Sequence, residues 1–289
     1  MKRLIVNADD FGFTSGVNAG ILRAYKDGIL TSTTIMANGT AFEEAVQIAR
    51  SNPGLGVGCH LALVGERAVA PVLEISSLVD DSGLMPATLG ELAAKLTRGA
   101  IRSGHLEREL SAQIEKVMQA GITPSHLDTH KHTHLHPQVL KVLVKVAVRY
   151  GVTRIRRPFQ AVRNGARGPA AREAQTVYFK QHLKSLATQL ARPVFNSLTS
   201  RNGIKTPDRF FGVSLTGLVD TESMEQLLSE TPAGTSEIMC HPGIYDDELE
   251  LAHTRLKQSR QRELEALTDE RVKLAVAARG IKLISYREL

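Results

Sequence analysis

Leu4-Ile5-Val6-Asn7-Ala8-Asp9-Asp10 is a short apolar run that ends on two adjacent carboxylates, and an amphipathic stretch follows it over residues 16–26. The same unit recurs down the chain. A β-branched run at 31–36 leads to a helical pattern at 41–50. Leu55-Gly56-Val57-Gly58-Cys59 ends at His60, and the run at 122–127 enters a histidine cluster before a helix over 137–149, with Pro137 suitably placed in its first turn. Thr153-Arg154-Ile155-Arg156 reads as a fifth strand and the run at 210–215 as a sixth. Ser236-Glu237-Ile238-Met239-Cys240 ends at His241, and 281–285 is a last strand. Strands alternating with helices of this length predict βαβ units and a parallel sheet. Seven or eight such units predict an α/β fold, a TIM-barrel-like (β/α) barrel that is closed or nearly so, distorted or incomplete, as one domain over residues 1–289. Segments 64–90 and 160–207 break the rhythm. The first is loop-like; the second is an insertion with a helix over about 170–191, and loops this long are usually lids, binding elements or disordered segments.

Composition narrows the function classes. Hydrophobic residues make up 42% of the chain and charged residues 23%, so a normal core forms without staples. No run of eighteen apolar residues is present, which excludes a spanning helix, and the N-terminus reaches Asp9-Asp10 too soon for a secretory leader; a cytoplasmic protein is expected. Cys59 and Cys240 each precede a histidine in an apolar run and are expected as buried free thiols. The net charge of +6 is partly local, because Arg154, Arg156, Arg157, Arg163, Arg167 and Arg172 crowd one stretch. That stretch is either a solvated loop or a contact for an anionic substrate or a peripheral membrane surface. With no tryptophan and 4% aromatics there is little platform for stacking bases, and nucleic acid is not an expected partner. A homo-oligomer is compatible with this sequence.

The polar residues fall where a parallel barrel builds its active site. Asp9, Asp10, His60, His130 and His241 all lie at or just past the C-terminal ends of strand-like runs. In Ser125-His126-Leu127-Asp128-Thr129-His130-Lys131-His132-Thr133-His134-Leu135-His136, five histidines and Asp128 occupy even positions, which share one face of an extended chain. An apolar core cannot take that many imidazoles without orphaning ring nitrogens. Either this is a solvated histidine-rich loop, or one or two histidines ligate a metal while the others orient them or touch substrate. Asp9-Asp10 is either a turn or helix cap, or a pair that divides cation binding from proton acceptance, with Asn7 placed to orient it. Two imidazoles and a carboxylate with open positions make a catalytic metal site, and zinc is chemically plausible there. Such a site activates water and polarises a carbonyl.

At these residues the chain resembles the YdjC-like carbohydrate deacetylases. Asn7-Ala8-Asp9-Asp10-Phe11-Gly12 is similar to that family's opening motif, and Gly58-Cys59-His60-Leu61 to its strand-end histidine. His126 through His134 resembles its histidine-rich motif, and Cys240-His241-Pro242-Gly243 its late His-Pro motif. The resemblance implies a TIM-barrel-like fold and a divalent metal, magnesium by family likeness, held by Asp10, His60 and His130. It implies removal of an acetyl group from an acetamido sugar, with Asp9 as general base, His241 as general acid and Arg156 orienting the base. His126, Asp128, His132 and His134 are left as substrate contacts or as support for the ligands. Thr129-His130-Lys131-His132-Thr133-His134-Leu135-His136-Pro137 and Asp208-Arg209-Phe210-Phe211-Gly212 look most like the hopanoid-biosynthesis subgroup, whose substrate is an N-acetylglucosaminyl lipid. Soluble chitooligosaccharides are the alternative substrate. A non-catalytic carbohydrate- or metal-binding barrel is the alternative role. An amidohydrolase is disfavoured, because such enzymes usually open with His-x-His where this chain has Asp-Asp.

Overall fold

A computed structural model describes residues 1–160 and 168–289. Strand β1 (Lys2–Phe11) is buried from Leu4 onward, as an apolar run is at the centre of a parallel sheet. Helix α1 (Ser15–Asp27) starts behind Thr14, whose hydroxyl accepts the Val17 N–H. Strand β2 (Ser32–Ile35), helix α2 (Phe42–Ser51) and strand β3 (Gly56–Leu61) repeat the unit. Residues 62–88 then run irregularly, with one 3₁₀ turn at Val72–Glu74 and an isolated Arg67–Leu84 bridge. Helices α3 (Leu89–Thr97) and α4 (Ser103–Gln119) precede strand β4 (Leu127–Thr129) and helix α5 (Pro137–Arg149).

The second half opens with helices α6 (Pro169–Glu173), α7 (Gln175–Thr188) and α8 (Arg192–Arg201). Strand β5 (Arg209–Phe211), helix α9 (Thr221–Glu230) and strand β6 (Gly234–Cys240) follow. Helices α10 (Asp247–Leu251), α11 (Gln258–Thr268) and α12 (Glu270–Ala278) lead to the last strand, β7 (Ile281–Leu283).

Every strand pair is parallel, in the order β4-β3-β2-β1-β6-β5, with β7 against the start of β1. β1 pairs with β6 along Lys2–Ala8. On its other side the carbonyls of Leu4 and Val6 accept the N–H groups of Ile284 and Thr31, so β7 and β2 share that edge. Between β4 and β5, among the described residues, the ring is spanned by single bridges, Leu127 to Ile155, Arg154 to Lys205 and Gln160 to Phe210. The result is the distorted, incompletely paired barrel that the sequence rhythm predicts.

Alternation along the strands sorts the side chains into two environments. Leu4, Val6 and Ala8 of β1, Val57, Cys59 and Leu61 of β3, and Ile238 and Cys240 of β6 face the helices and join one large core with Val17, Ile21, Leu264 and Leu267. Inside the barrel, Ile5, Ile284 and Tyr286 form an apolar floor. Above that floor lie Asn7, Asp128, Arg156 and Glu237, all buried. Barrel interiors are normally filled by branched apolar residues. A charged layer is tolerated here only because its members pair with one another.

Several expectations need correction. The strand read at 210–215 stops at Phe211, where Gly212 takes φ +126° and the Leu215 N–H turns back to the Gly212 carbonyl. The segment at 153–156 makes bridges rather than a strand, and the last strand ends at Leu283. The helix read over 170–191 is broken into α6, α7 and a 3₁₀ turn at Gln189–Ala191, and the polar stretch after it begins as α8. The arginine-rich stretch is no solvated loop at its centre. Arg156 is wholly buried, Arg154 donates to the carbonyls of Arg287 and Leu289, and Arg157 donates to that of Asp208. Arg163 and Arg167 lie outside the described residues. Cys59 and Cys240 are buried free thiols. Among the described residues no helix is long and apolar enough to cross a membrane.

Candidate functional site

Adjacent residues on a strand point to opposite faces, so Asp9 and Asp10 should not converge. They do, because the register of β1 against β2 shifts between Ala8 and Phe11 and Asp10 adopts a left-handed backbone with φ 68°. A bulge of this kind re-aims a side chain at a strand end. It turns both carboxylates toward the mouth of the barrel.

Asp10 Oδ1 faces His60 Nε2 at 3.4 Å and His130 Nδ1 at 3.3 Å, and the two ring nitrogens are 3.3 Å apart. Each donor is fixed from behind. His60 Nδ1 lies 2.8 Å from Asp128 Oδ1 and 3.2 Å from the Thr34 hydroxyl, which leaves Nε2 to face the mouth. Arg260 Nη2, from α11, donates to Asp10 Oδ2 at 2.6 Å, leaving Oδ1 buried and without a hydrogen-bond partner. An orphaned buried carboxylate oxygen opposite two imidazoles is what a divalent cation would satisfy. Asp10, His60 and His130 therefore form a group able to hold a metal ion.

Electrostatics differ sharply within these few ångströms. Burial opposes ionisation of Asp10, but the Arg260 charge and the histidine contacts hold its carboxyl well below the usual range. Burial likewise opposes the charge on His60, yet Asp128, Asp10 and Asp9 together lift it to about 10. Burial lowers His130. Proton competition for His60 belongs to the metal-free site, since a bound cation takes a neutral imidazole.

Beside this triangle stands a second pair. Arg156 grips Asp9 with both terminal nitrogens, Nη1 to Oδ2 at 2.7 Å and Nη2 to Oδ1 at 2.6 Å, while Asn7 Nδ2 adds a bond to Oδ1 at 3.1 Å. Burial resists the Asp9 charge, but Arg156, His60 and His241 outweigh it and keep the carboxylate ionised. His241 Nε2 lies 4.0 Å from Asp9 Oδ2, and burial pushes that imidazole down to about 4 despite Asp9 and Asp10. Its backbone N–H is anchored by Glu263 at 2.5 Å.

The histidine cluster behaves differently from an extended strand. After Thr129 the chain coils through His130–Leu135, and Lys131 and His132 take left-handed φ of 54° and 55°. The shared face of the even positions therefore ends at His130. His126 is fully buried, stacked on Tyr286 at 3.5 Å between ring centroids and bonded to the Ser125 hydroxyl, so it is no substrate contact. His134 is also fully buried, tied to Thr129 Oγ1 at 2.6 Å. His132 packs edge-on against Phe210, partly accessible. His136 caps α5, its Nδ1 accepting the Gln138 N–H. Thr34, Glu237, Arg260 and Glu263 escaped the sequence reading. A glutamate inside the apolar run at 236–240 was a usable signal, whereas Arg260 and Glu263 look like ordinary charges on a helix.

The sequence profile of YdjC-like proteins matches residues 3–278. A carbohydrate deacetylase of Geobacillus stearothermophilus is 38% identical over 284 residues, covering 98% of this chain and 96% of that protein. One from Listeria monocytogenes serotype 4a is 34% identical over 291 residues, covering 99% of this chain and the whole of that protein. Among solved structures, a proposed cellobiose-phosphate cleavage protein from Enterococcus faecalis V583 superposes with a TM-score of 0.78 at 30% identity, covering 99% of this chain and 98% of that one. Motif order, full-length relatives and the matching solved fold agree, and the chain belongs to the YdjC-like protein family.

Proposed function

We propose that this protein is a metal-dependent carbohydrate N-deacetylase. The observation that carries the reading is the triangle of Asp10 Oδ1, His60 Nε2 and His130 Nδ1 beside the Asp9–His241 pair, in a chain whose relatives are named carbohydrate deacetylases. Asp10, His60 and His130 would hold a divalent cation, which would supply Lewis acidity toward the acetamide carbonyl and toward water. Asp9, ionised and fixed by Arg156, accepts the proton of the attacking water. Its partner His241 starts neutral, so the proton that reaches the departing nitrogen is the one taken from water. His241 Nε2, 4.0 Å from Asp9 Oδ2, is the group placed to carry it. Acetic acid and a free amine result, which ionise at neutral pH to acetate and an ammonium group, so no proton is drawn from outside.

Family likeness implies magnesium, but the donor set favours zinc or a similar ion. Two imidazoles beside one carboxylate suit zinc or a similar ion better than magnesium, which prefers oxygen donors and water. For the substrate we propose an acetamido sugar carried on a hopanoid-type lipid, supported by the Lys131 and His136-Pro137 signature. Soluble chitooligosaccharides are the competing substrate. The deciding experiment combines metal analysis with acetate release from both substrate types. Preferential turnover of the glycolipid supports the lipid assignment, and equal turnover removes it. Asp10→Ala and His60→Ala should abolish metal retention, whereas Asp9→Asn should keep the metal and lose turnover by about 10²–10⁴-fold. Near-wild-type turnover of metal-loaded Asp9→Asn would exclude Asp9 as the base.

A further inference from the structure

Helix α7 has two unlike faces. Its inner face buries Ser185, and Gln181 Nε2 donates to the Thr216 carbonyl at 3.1 Å. Just past the helix, Gln189 Nε2 donates to the Gln160 carbonyl at 3.1 Å. Its outer face carries Phe179, Leu183 and Leu186 at the i, i+4, i+7 spacing of one stripe, and Leu190 continues the row in the next turn. These four side chains are 60%, 50%, 38% and 86% exposed, a continuous apolar stripe where a helix of an isolated globule would be polar.

The charge around the stripe selects its partner. From Ala174 to Pro207 the sequence contains Lys180, Lys184, Arg192, Arg201 and Lys205 and no Asp or Glu. A second copy seated on the stripe would set cations against cations with no carboxylate to pair them. An anionic surface with an apolar layer beneath it answers both the stripe and its flank. The helix also has a side chain within electrostatic reach of the chain beside the site. Lys184 lies close enough to Lys131 and Arg255 to feel their charges, and Lys131 directly follows His130.

We infer that α7 is an interfacial helix, laying Phe179, Leu183, Leu186 and Leu190 into an anionic lipid bilayer with Lys180, Lys184 and Arg192 against the headgroups. The inference deepens the glycolipid reading and rests on it for its purpose, because docking there brings the barrel mouth to a lipid-borne sugar. Its physics stands on the stripe and the charge alone.

Vesicle flotation tests it with the full chain. Vesicles of phosphatidylglycerol and phosphatidylcholine should retain the protein at low salt, pure phosphatidylcholine much less, and about 0.5 M salt should release it. The double variants Phe179→Ser/Leu183→Ser and Lys180→Glu/Arg192→Glu should each lose about tenfold or more in partitioning, yet release acetate from a soluble acetamido sugar at the wild-type rate. Failure of the wild type to bind anionic vesicles, or unchanged binding by both variants, would overturn the proposal. So would a wild-type dimer that Phe179→Ser/Leu183→Ser dissolves without any vesicle binding, since the stripe would then belong to a second copy. Vesicle binding without acetate release from any substrate would sink the deacetylase reading and leave the docking surface standing.

Discussion

Arg156 is the residue on which the site's electrostatics turn. One guanidinium, wholly buried, contacts Asp9, Asp128 Oδ2 at 2.5 Å and Glu237 Oε1 at 2.8 Å. It joins the proposed base to the carboxylate that orients His60, so the two halves of the site share a single cation. Asp128 thereby has two tasks, fixing the tautomer of His60 and completing the shell of Arg156. Removing it frees the His60 ring to rotate and leaves Arg156 short of one partner. For Asp128→Ala we expect metal affinity to fall by about 10–100-fold, as loss of a partner behind a ligand typically does. Titration of apo-protein with zinc, read by calorimetry, checks this. Wild-type affinity in a folded variant would show that Asp128 does not position the ligand.

At the scale of elements, a local break in regularity shapes the site. The bulge near the end of β1 brings Asp10 round to the side of Asp9, and the left-handed turn after His130 withdraws His134 into the protein. This explains what the sequence allowed and what it hid. Strand-end placement of Asp10, His60, His130 and His241 was legible because apolar runs stop where polar residues begin. The coil after His130 was not, because alternation of residue type cannot reveal two consecutive positive φ values at non-glycine residues. Arg260 and Glu263 were invisible for another reason. They lie more than 200 residues from the Asp9-Asp10 pair, on a helix whose charges have no pattern of their own. Packing of α1 against the loop after β6 is a further element-scale constraint. A Cβ at Gly20 would sit 2.4 Å from the Gly243 Cα, which a backbone atom cannot relieve without moving. Gly20→Ala should therefore displace the loop that carries His241 while leaving the Asp10, His60 and His130 group intact. The expected outcome is a turnover loss of about tenfold or more with metal content unchanged. Wild-type turnover would show that the loop position is not critical.

The molecule as a whole carries a charged layer where barrels of this kind usually keep an apolar one, and its stability should record that. Three carboxylates surround the Arg156 guanidinium, and burial leaves the charge of Glu237 incompletely compensated. Burial raises its carboxyl to about 7 against the pull of Arg156 and the Tyr286 hydroxyl, which donates to Oε2 at 2.5 Å. The ordinary value is 4.5, so the folded protein holds this proton in a range where the unfolded chain releases it. Its contribution is fully present below about 4.5 and is lost as pH rises through about 7, at a slope of at most about 1.4 kcal/mol per pH unit. Glu263, also raised to about 7 by burial, adds a contribution of the same sign. Asp9 and Asp10 are shifted the opposite way and lose theirs only as pH falls below the ordinary carboxylate range, outside this window. Glu237→Gln keeps one acceptor oxygen, available to Arg156, turns its amide NH2 toward the Tyr286 hydroxyl, and cannot titrate. Guanidinium unfolding midpoints of chelator-treated wild type and variant, compared at pH 5 and 7.5, isolate the difference. The wild type should lose more stability than Glu237→Gln over that interval, and equal losses would mean that Glu237 stays charged throughout, with Arg156 compensating all three carboxylates.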